Sequence, residues 1–216
     1  MDFKENYYFE KYEQLAVLAD TQKCKTILSR NTDTNEIVVF KVMDKHGLDV
    51  YDRLKDLDNS NIVDVMDCFL HEDKCVAVEE FVNGKRLCDV LQKNISVEVI
   101  VDYVRQICNG LKEVHNKNIV HRDLQPKNII VDRHNHITII DFDIARIRKE
   151  EKPIVTQNFL ERWAMHHLSS LVLPRQTSEA TFIPWACLLA IWSSLMRKPL
   201  GRSRGKKLCT PVPVLH

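Results

Sequence analysis

Residues 121–128 read HRDLQPKN, and residues 137–143 read ITIIDFD. The first stretch carries a carboxylate, Asp123, and an amide, Asn128, and the second carries another carboxylate, Asp141. Two short apolar runs, which indicate strands, adjoin these polar residues. Aspartate and asparagine also favour turns, so a loop of capping residues between strands is the alternative interpretation. The order of the polar types around the two strands favours a functional site.

These residue types suit phosphoryl transfer from ATP, which depends on positioning and charge stabilisation more than on covalent help from the protein. A carboxylate orients the attacking hydroxyl, and oxygen ligands hold magnesium on the phosphates. At this spacing the chain resembles the eukaryotic-like protein kinases, in the form that bacteria carry, over about residues 12–157. The resemblance implies that Asp123 orients the hydroxyl, that Asn128 and Asp141 hold Mg²⁺, and that ATP and Mg²⁺ are the cofactors.

The resemblance continues upstream of the HRD string. Residues 38–41, VVFK, match the VAIK strand of the family, so Lys41 would hold the α- and β-phosphates rather than lie exposed in a strand. Residues 76–84, VAVEEFVNG, look like the strand that leads into the hinge. There the backbone of Glu80 and Val82 would pair with the adenine edge. The other residues that the resemblance places at the nucleotide are Leu18, Thr26 and Val39.

After the hinge, apolar residues recur at three- and four-residue steps from Val97 to Val114, which predicts a buried amphipathic helix capped by Ser96. We therefore expect an α+β, bilobal protein-kinase-like fold. A small β-rich N-lobe would occupy residues 12–82, and the first part of an incomplete helical C-lobe would occupy residues 83–157. The nucleotide cleft would lie between them, with the Lys41 amine and the Asp141 carboxylate facing it.

Two segments of the N-lobe depart from the family pattern. The glycine-rich loop should fall at residues 19–26, ADTQKCKT, whose glycine positions hold Ala19, Thr21 and Cys24. Because glycine lets the backbone approach phosphate, we expect ATP to be held less tightly. The helix that normally gives a glutamate to the strand lysine is shortened to about residues 48–57. Its candidate partners for that lysine are Asp49 and Asp52.

The catalytic segments depart from the pattern as well. Gln125 stands where Ser/Thr kinases usually have a lysine near the transferred phosphate, which removes a positive charge. Asp143 replaces the glycine after Asp141 and Phe142. Aspartate tolerates a left-handed backbone, so we expect metal binding by Asp141 to survive. This DFD variant looks like a Gram-positive bacterial subgroup of the family.

The composition changes near residue 157. Residues 1–157 carry 23 basic and 28 acidic side chains, whereas residues 158–216 carry 8 and 2 and hold all three tryptophans. The activation segment and the Asp-x-Tyr-Ser-x-Gly helix start of a kinase are absent from this tail. The tail therefore differs from the preceding residues in both charge and motif content.

A shifted reading frame explains the tail. When each codon is read from its third base, the junctions after Trp163 and Trp185 force glycine, and the junction after Met165 forces alanine. Permitted codons elsewhere convert residues 160–188 to GTVGYAPPEQLGFAETDERSDIYSLGVL, which supplies the absent motifs in order. We interpret residues 158–216 as an aberrant, frame-shifted tail.

The sequence predicts a cytoplasmic protein Ser/Thr kinase whose phosphoryl transfer to protein hydroxyls is impaired in this chain. Scattered cysteines without a CxxC pair or signal peptide favour a reducing compartment. The apolar run at residues 182–196 is shorter than the roughly 18–20 residues of a membrane span, so no membrane segment is expected. No nucleic-acid partner is expected either. A non-catalytic, pseudokinase-like module that binds a regulatory protein is the alternative, and a small-molecule phosphotransferase is a third interpretation.

Overall fold

A computed structural model describes residues 7–8, 10–92 and 95–148 of the 216-residue chain. The inferred frame-shifted tail lies outside the described residues, as does the end of the expected C-lobe segment. The strands are β1 (Tyr12–Asp20), β2 (Cys24–Asn31), β3 (Ile37–Asp44), β4 (Val65–His71), β5 (Lys74–Glu80), β6 (Lys85–Arg86), β7 (Ile119–Val120), β8 (Ile129–Val131), β9 (Ile137–Ile139) and β10 (Arg146–Ile147). The α-helices are α1 (Leu48–Lys55), α2 (Leu87–Val90) and α3 (Val97–Asn116).

The N-lobe is an antiparallel sheet of five strands in the order β1-β2-β3-β5-β4. Its outer face is apolar and aromatic, and Tyr8 covers it by stacking on Phe69 with ring centroids 5.3 Å apart. On the inner face, Lys41 of β3 lies opposite Ala77 of β5, and Glu79 lies two residues further along β5. The alternation of strand side chains therefore directs a lysine and a glutamate toward the interior of the molecule.

The C-lobe segment is organised by α3. The Ser96 hydroxyl accepts a hydrogen bond from the Val99 N–H at 3.5 Å, so the predicted cap and helix are both present. The buried side of the helix lies in the main hydrophobic core, which also contains residues of β8 and β9. A separate small sheet has the order β6-β8-β9. Within the described residues, no helix combines the length and the hydrophobicity that crossing a membrane would require.

A short segment before β4 joins the two lobes. The Ile139 N–H donates to the Asn61 carbonyl at 2.8 Å, and the Val63 N–H donates to the Ile139 carbonyl at 3.0 Å. The buried Asn61 side chain donates to Gln106 of α3 at 3.1 Å and to the Ile137 carbonyl at 2.9 Å. The N-lobe is thus hydrogen-bonded directly to the strand that precedes Asp141.

The expected α+β fold, with a β-rich small lobe and a partial helical lobe, is confirmed. The two predicted strands are present at Ile129–Val131 and Ile137–Ile139, and both follow the HRD string.

Candidate active site

The β8–β9 hairpin brings the two polar motifs together. Ile129 pairs with Ile139, and the Ile140 N–H donates to the Asn128 carbonyl at 2.9 Å. The buried Asn128 amide donates to the Asp123 carbonyl at 2.9 Å and to its carboxylate at 3.0 Å. Asn128 therefore fixes the Asp123 side chain, and Asp141 follows directly after Ile140.

His121 connects the two polar segments by hydrogen bonds and a ring contact. Its Nδ1 accepts the Asp123 N–H at 3.3 Å, and its Nε2 lies 3.1 Å from the Ile140 carbonyl. The ring centroid is 4.5 Å from that of Phe142. Burial lowers the pKa of His121, which favours a neutral ring that donates from Nε2. The histidine thus links the Asp123 loop to the segment that carries Asp141.

The Lys41 ammonium reaches this segment from the N-lobe. It lies 2.8 Å from the Asp141 carboxylate and 2.7 Å from that of Asp143. Although burial opposes the charge, Glu79, Asp143 and Asp141 together raise the pKa of Lys41. Partial burial alone would raise the pKa of the Asp141 carboxyl. The nearby Lys41 ammonium outweighs that effect, so the pKa of Asp141 is lowered. Lys41 and Asp141 therefore share one site, as the sequence predicts.

The prediction that Asp49 or Asp52 of α1 pairs with Lys41 is wrong. Asp49 and Asp52 are both exposed on α1, and their carboxylates make no ion pair with Lys41. The buried side chains of this helix are Val50, Tyr51 and Leu54, and the Tyr51 hydroxyl donates to Asp143 at 3.2 Å. An eight-residue helix directs one face inward, and that face here carries a phenol in place of a carboxylate.

The expected left-handed backbone lies at a different residue. Asp141 has a φ of 71°, whereas Asp143 is absent from the positive-φ residues of the described chain. Position 143 therefore does not need the left-handed backbone conformation that favours glycine. Its side chain is held among the charged groups of the cleft.

Sequence reasoning did not identify Glu79 as part of the site. Its side chain is completely buried, and its Oε1 has no hydrogen-bond partner among the described residues. Burial raises the pKa of the Glu79 carboxyl to about 7, against the opposing effect of Lys41. The strand register was the available signal, because a residue two positions from Ala77 must share the face that Lys41 occupies.

The raised pKa of Glu79 predicts a pH-dependent stability. Between pH 4.5 and about 7 the unfolded carboxyl loses its proton while the folded one retains it, so the free energy of unfolding falls as the pH rises. The expected contribution approaches about 3 kcal/mol. Glu79→Gln should remove it. Denaturant-induced unfolding at pH 5 and pH 8 measures the difference, with exposed Glu36→Gln as the control. Equal pH dependence in the Glu79→Gln and unchanged chains would contradict the assignment.

The turn between β1 and β2 satisfies its own hydrogen bonds. The Thr21 hydroxyl accepts the N–H groups of Lys23 at 3.3 Å and Cys24 at 3.0 Å, and it donates to the Cys24 carbonyl at 2.9 Å. In a glycine-rich loop such N–H groups face the phosphates. Here a side chain occupies them, and no residue of this turn has a positive φ. This observation gives a physical reason for the expected weaker hold on ATP.

Removing the Thr21 hydroxyl should therefore strengthen nucleotide binding. Thr21→Ala frees two N–H donors, and a single hydrogen bond to a charged group is worth about 1.5 kcal/mol or more, so we expect about a tenfold gain in Mg²⁺-ATP affinity. Titration calorimetry measures it. Thr34→Ala is a matched control, because the Thr34 hydroxyl accepts the Glu36 N–H at 3.3 Å in the turn between β2 and β3. Unchanged or weaker binding by Thr21→Ala would contradict the prediction.

The remaining residues expected at the nucleotide lie along the same lobe. Thr26 is opposite Lys41 in the register, and Val39 is opposite Glu79. Leu18 leaves 54% of its surface exposed. The Glu80 N–H already donates to the Asp64 carbonyl at 3.0 Å, and the Val82 backbone makes no hydrogen bond with the other described residues. The Val82 backbone is therefore available to an adenine edge, whereas the Glu80 N–H is not.

The donor set fits a magnesium ion that is bound together with phosphate. Asn128 uses its amide N–H groups on Asp123, which leaves its carbonyl oxygen as an acceptor. The Asp141 carboxylate is 34% exposed. Magnesium prefers such hard oxygen ligands and is often held by only one or two protein carboxylates, with phosphates and waters completing the shell. Asn128 and Asp141 could therefore hold the ion, which would neutralise charge on the phosphates.

A family model described as protein kinase domain matches residues 12–201. Cyclin-dependent kinase-like 2 of Homo sapiens is 28% identical over 165 residues, which cover 71% of this chain and 34% of that protein. The protein of the same name from Oryctolagus cuniculus is 26% identical over 202 residues, covering 88% and 35%. A probable serine/threonine-protein kinase of Dictyostelium discoideum is 26% identical over 190 residues, covering 82% and 41%. The chain thus spans about a third to two-fifths of the length of these relatives.

Proposed function

Because the chain belongs to the protein kinase domain family, we propose that it is built for ATP-dependent phosphoryl transfer to Ser or Thr hydroxyls of proteins. One observation carries the proposal: Lys41 lies 2.8 Å from Asp141, and Asn128 is hydrogen-bonded to Asp123 in the adjoining loop. We infer that these side chains supply a cation for the phosphates, two oxygen ligands for a metal ion and a fixed carboxylate. These are the groups on which phosphoryl transfer depends.

Each polar side chain has a role in this proposal. Lys41 binds the α- and β-phosphates, while Asn128 and Asp141 hold Mg²⁺. Asp123 accepts a hydrogen bond from the attacking hydroxyl and orients it toward the phosphate. The hydrogen bond from the Asn128 amide restrains the orientation of the Asp123 carboxylate. Positioning and charge stabilisation by the protein together account for nearly all of such catalysis.

The expected setting of this activity follows from the sequence. We propose a protein substrate, with Ser/Thr specificity supported by a relative named as a probable serine/threonine-protein kinase. We also propose a bacterial origin and a DFD-type subgroup, on the basis of Asp143 and the motif pattern. The cytoplasm is the proposed location, from the cysteine pattern.

A non-catalytic binding module is the second candidate. It is favoured by the turn in which the Thr21 hydroxyl occupies the N–H groups of Lys23 and Cys24. Gln125 in place of a lysine points in the same direction. Such a module would act through a regulatory protein partner, and its cleft would hold nucleotide weakly without turnover.

We also propose that residues 158–216 arise from a shifted frame. The support is the set of forced codons after Trp163, Met165 and Trp185, together with the charge change at residue 157. The family match extends through this tail to residue 201 and is not evidence for the shift. The nucleotide sequence of codons 155–162 tests the proposal, because a frame that encodes the given residues without an insertion or deletion relative to related genes would contradict it.

The proposed activity is tested on the full chain in two steps. Titration calorimetry with ATP, with and without Mg²⁺, should show binding that magnesium strengthens and that Asp141→Asn weakens. Transfer of labelled γ-phosphate to a generic protein substrate then measures turnover. Binding without transfer, even after the frame is repaired, would favour the binding module. Absence of ATP binding would refute both candidates as nucleotide-dependent proteins.

A further inference from the structure

The titratable groups around Lys41 come from five separate parts of the described fold. The inner face of β3 presents the ammonium, and Asp141 and Asp143 approach it from the segment after β9. The titratable groups that face this cluster from the remaining elements are Cys24 of β2, Tyr51 of α1, Glu79 of β5 and His121 after β7. No carboxylate reaches it from α1, the helix that the family pattern expects to supply one.

Of the two aspartates that contact Lys41, Asp143 is the less exposed. Its carboxylate is 19% exposed, compared with 34% for Asp141, and its Oδ1 lies 2.7 Å from the ammonium. The same oxygen accepts the Tyr51 hydroxyl at 3.2 Å. Tyr51 is fully buried in the core beneath α1, so its hydroxyl has a fixed position. The phenol therefore holds the Asp143 carboxylate against Lys41.

We propose that Asp143 is the positioning residue for Lys41, and that α1 acts on the lysine indirectly by presenting the Tyr51 hydroxyl to Asp143. Asp143, the residue after Phe142, thereby makes the ion pair with Lys41 that a carboxylate of the helix would otherwise make. Asp141 then remains the group that is shared between Lys41 and a metal ion. This inference rests on the proposed nucleotide function of Lys41, and it adds a residue that the motif does not contain.

The arrangement predicts a specific chemical behaviour of the Lys41 amine. Only the neutral amine reacts with an acylating reagent, and each carboxylate that holds the ammonium disfavours the neutral form. Asp143→Asn keeps the shape of the side chain and removes its charge. Tyr51→Phe removes only the hydroxyl that fixes Asp143. Asp52→Asn is the matched control, because Asp52 is an exposed aspartate on the same α1 helix.

The test is acetylation of the full chain with acetic anhydride across a pH series, with Lys41 modification quantified by peptide mass spectrometry. Asp143→Asn should shift the pH profile of Lys41 toward lower pH and speed its modification about tenfold at a given pH, equivalent to about one pKa unit. Tyr51→Phe should give a smaller increase, about threefold, because it removes the hydrogen bond that positions Asp143 and leaves the Asp143 charge in place. Asp52→Asn should leave the profile unchanged. Thermal unfolding of each variant verifies folding, and Tyr51→Phe carries the test should Asp143→Asn fail to fold.

An unchanged Lys41 profile in Asp143→Asn would overturn the proposal, and so would an equal shift in Asp52→Asn. Protection of Lys41 by ATP in the unchanged chain is measured in the same experiment. Absence of protection would refute the nucleotide role, while the comparison of Asp143→Asn with Asp52→Asn would still decide which carboxylate holds the lysine.

Discussion

Replacement of Lys41 by methionine is expected to abolish measurable Mg²⁺-ATP binding and to lower the free energy of unfolding by about 3 kcal/mol. The ammonium lies between Asp141 and Asp143, with Glu79 close by on the same face of the sheet. Methionine retains the apolar stem but leaves these carboxyl groups without a cation. Removal of one partner from a buried ion pair costs more than the pair itself contributes, because the remaining charge stays desolvated.

Calorimetric titration and denaturant-induced unfolding measure the two effects. Lys25→Met is the matched control, since Lys25 is a half-exposed lysine of the neighbouring strand whose nearest ion-pair partner, Asp20, lies 3.9 Å away on the surface. It should change stability by less than about 1 kcal/mol. A Lys41→Met chain that binds nucleotide as the unchanged chain does would show that this lysine is structural.

Repair of the reading frame from residue 160 is expected to convert a chain with little or no phosphoryl transfer into an active kinase that depends on Asp123. The repaired segment restores the surface on which a substrate hydroxyl is aligned, and alignment of this kind is worth up to about 7 to 11 kcal/mol in favourable systems. In the repaired chain, Asp123→Asn should lower turnover by at least about a hundredfold. Radiolabelled phosphate transfer by the three chains measures the effect.

The control within that experiment is ATP affinity, which Asp123→Asn should leave nearly unchanged because Asp123 acts on the hydroxyl rather than on the nucleotide. Robust transfer by the chain as given would refute the argument about the tail. A repaired chain that binds ATP but transfers no phosphate would place the defect in the Thr21 turn and Gln125.

The sequence was sufficient to predict the fold and the meeting of Lys41 with Asp141. Motif spacing carries that information, because a strand lysine and an acid after a β-hairpin can meet only when the lobes pack against each other. The helix from Ser96 was equally predictable from its apolar period. Motif spacing and apolar periodicity each involve many residues, so both remain recognisable when a single residue is substituted.

The partners of Lys41 were less predictable. Asp49 and Asp52 were the expected candidates because they lie on α1, yet the inward face of that short helix carries Tyr51. Tertiary packing decides which side chains of a two-turn helix point inward. A helix this short has too few residues for its sequence pattern to predict that face. Asp143 is distant in sequence, and its contact with Tyr51 arises only when the two lobes meet.

The hydrogen bonds between Asn61, Val63 and Ile139 have a consequence for how the cleft can open. They join the lobes at the β4–β5 side of the sheet, where the chain also crosses into the C-lobe after Glu80. With both crossings on that side, we expect the N-lobe to rotate about an axis that passes near them. Asp141, two residues beyond Ile139, lies close to this axis, whereas the turn at Thr21 lies on the opposite edge of the sheet. The gap between the lobes should therefore widen most beneath that turn, which is where we expect a nucleotide to enter.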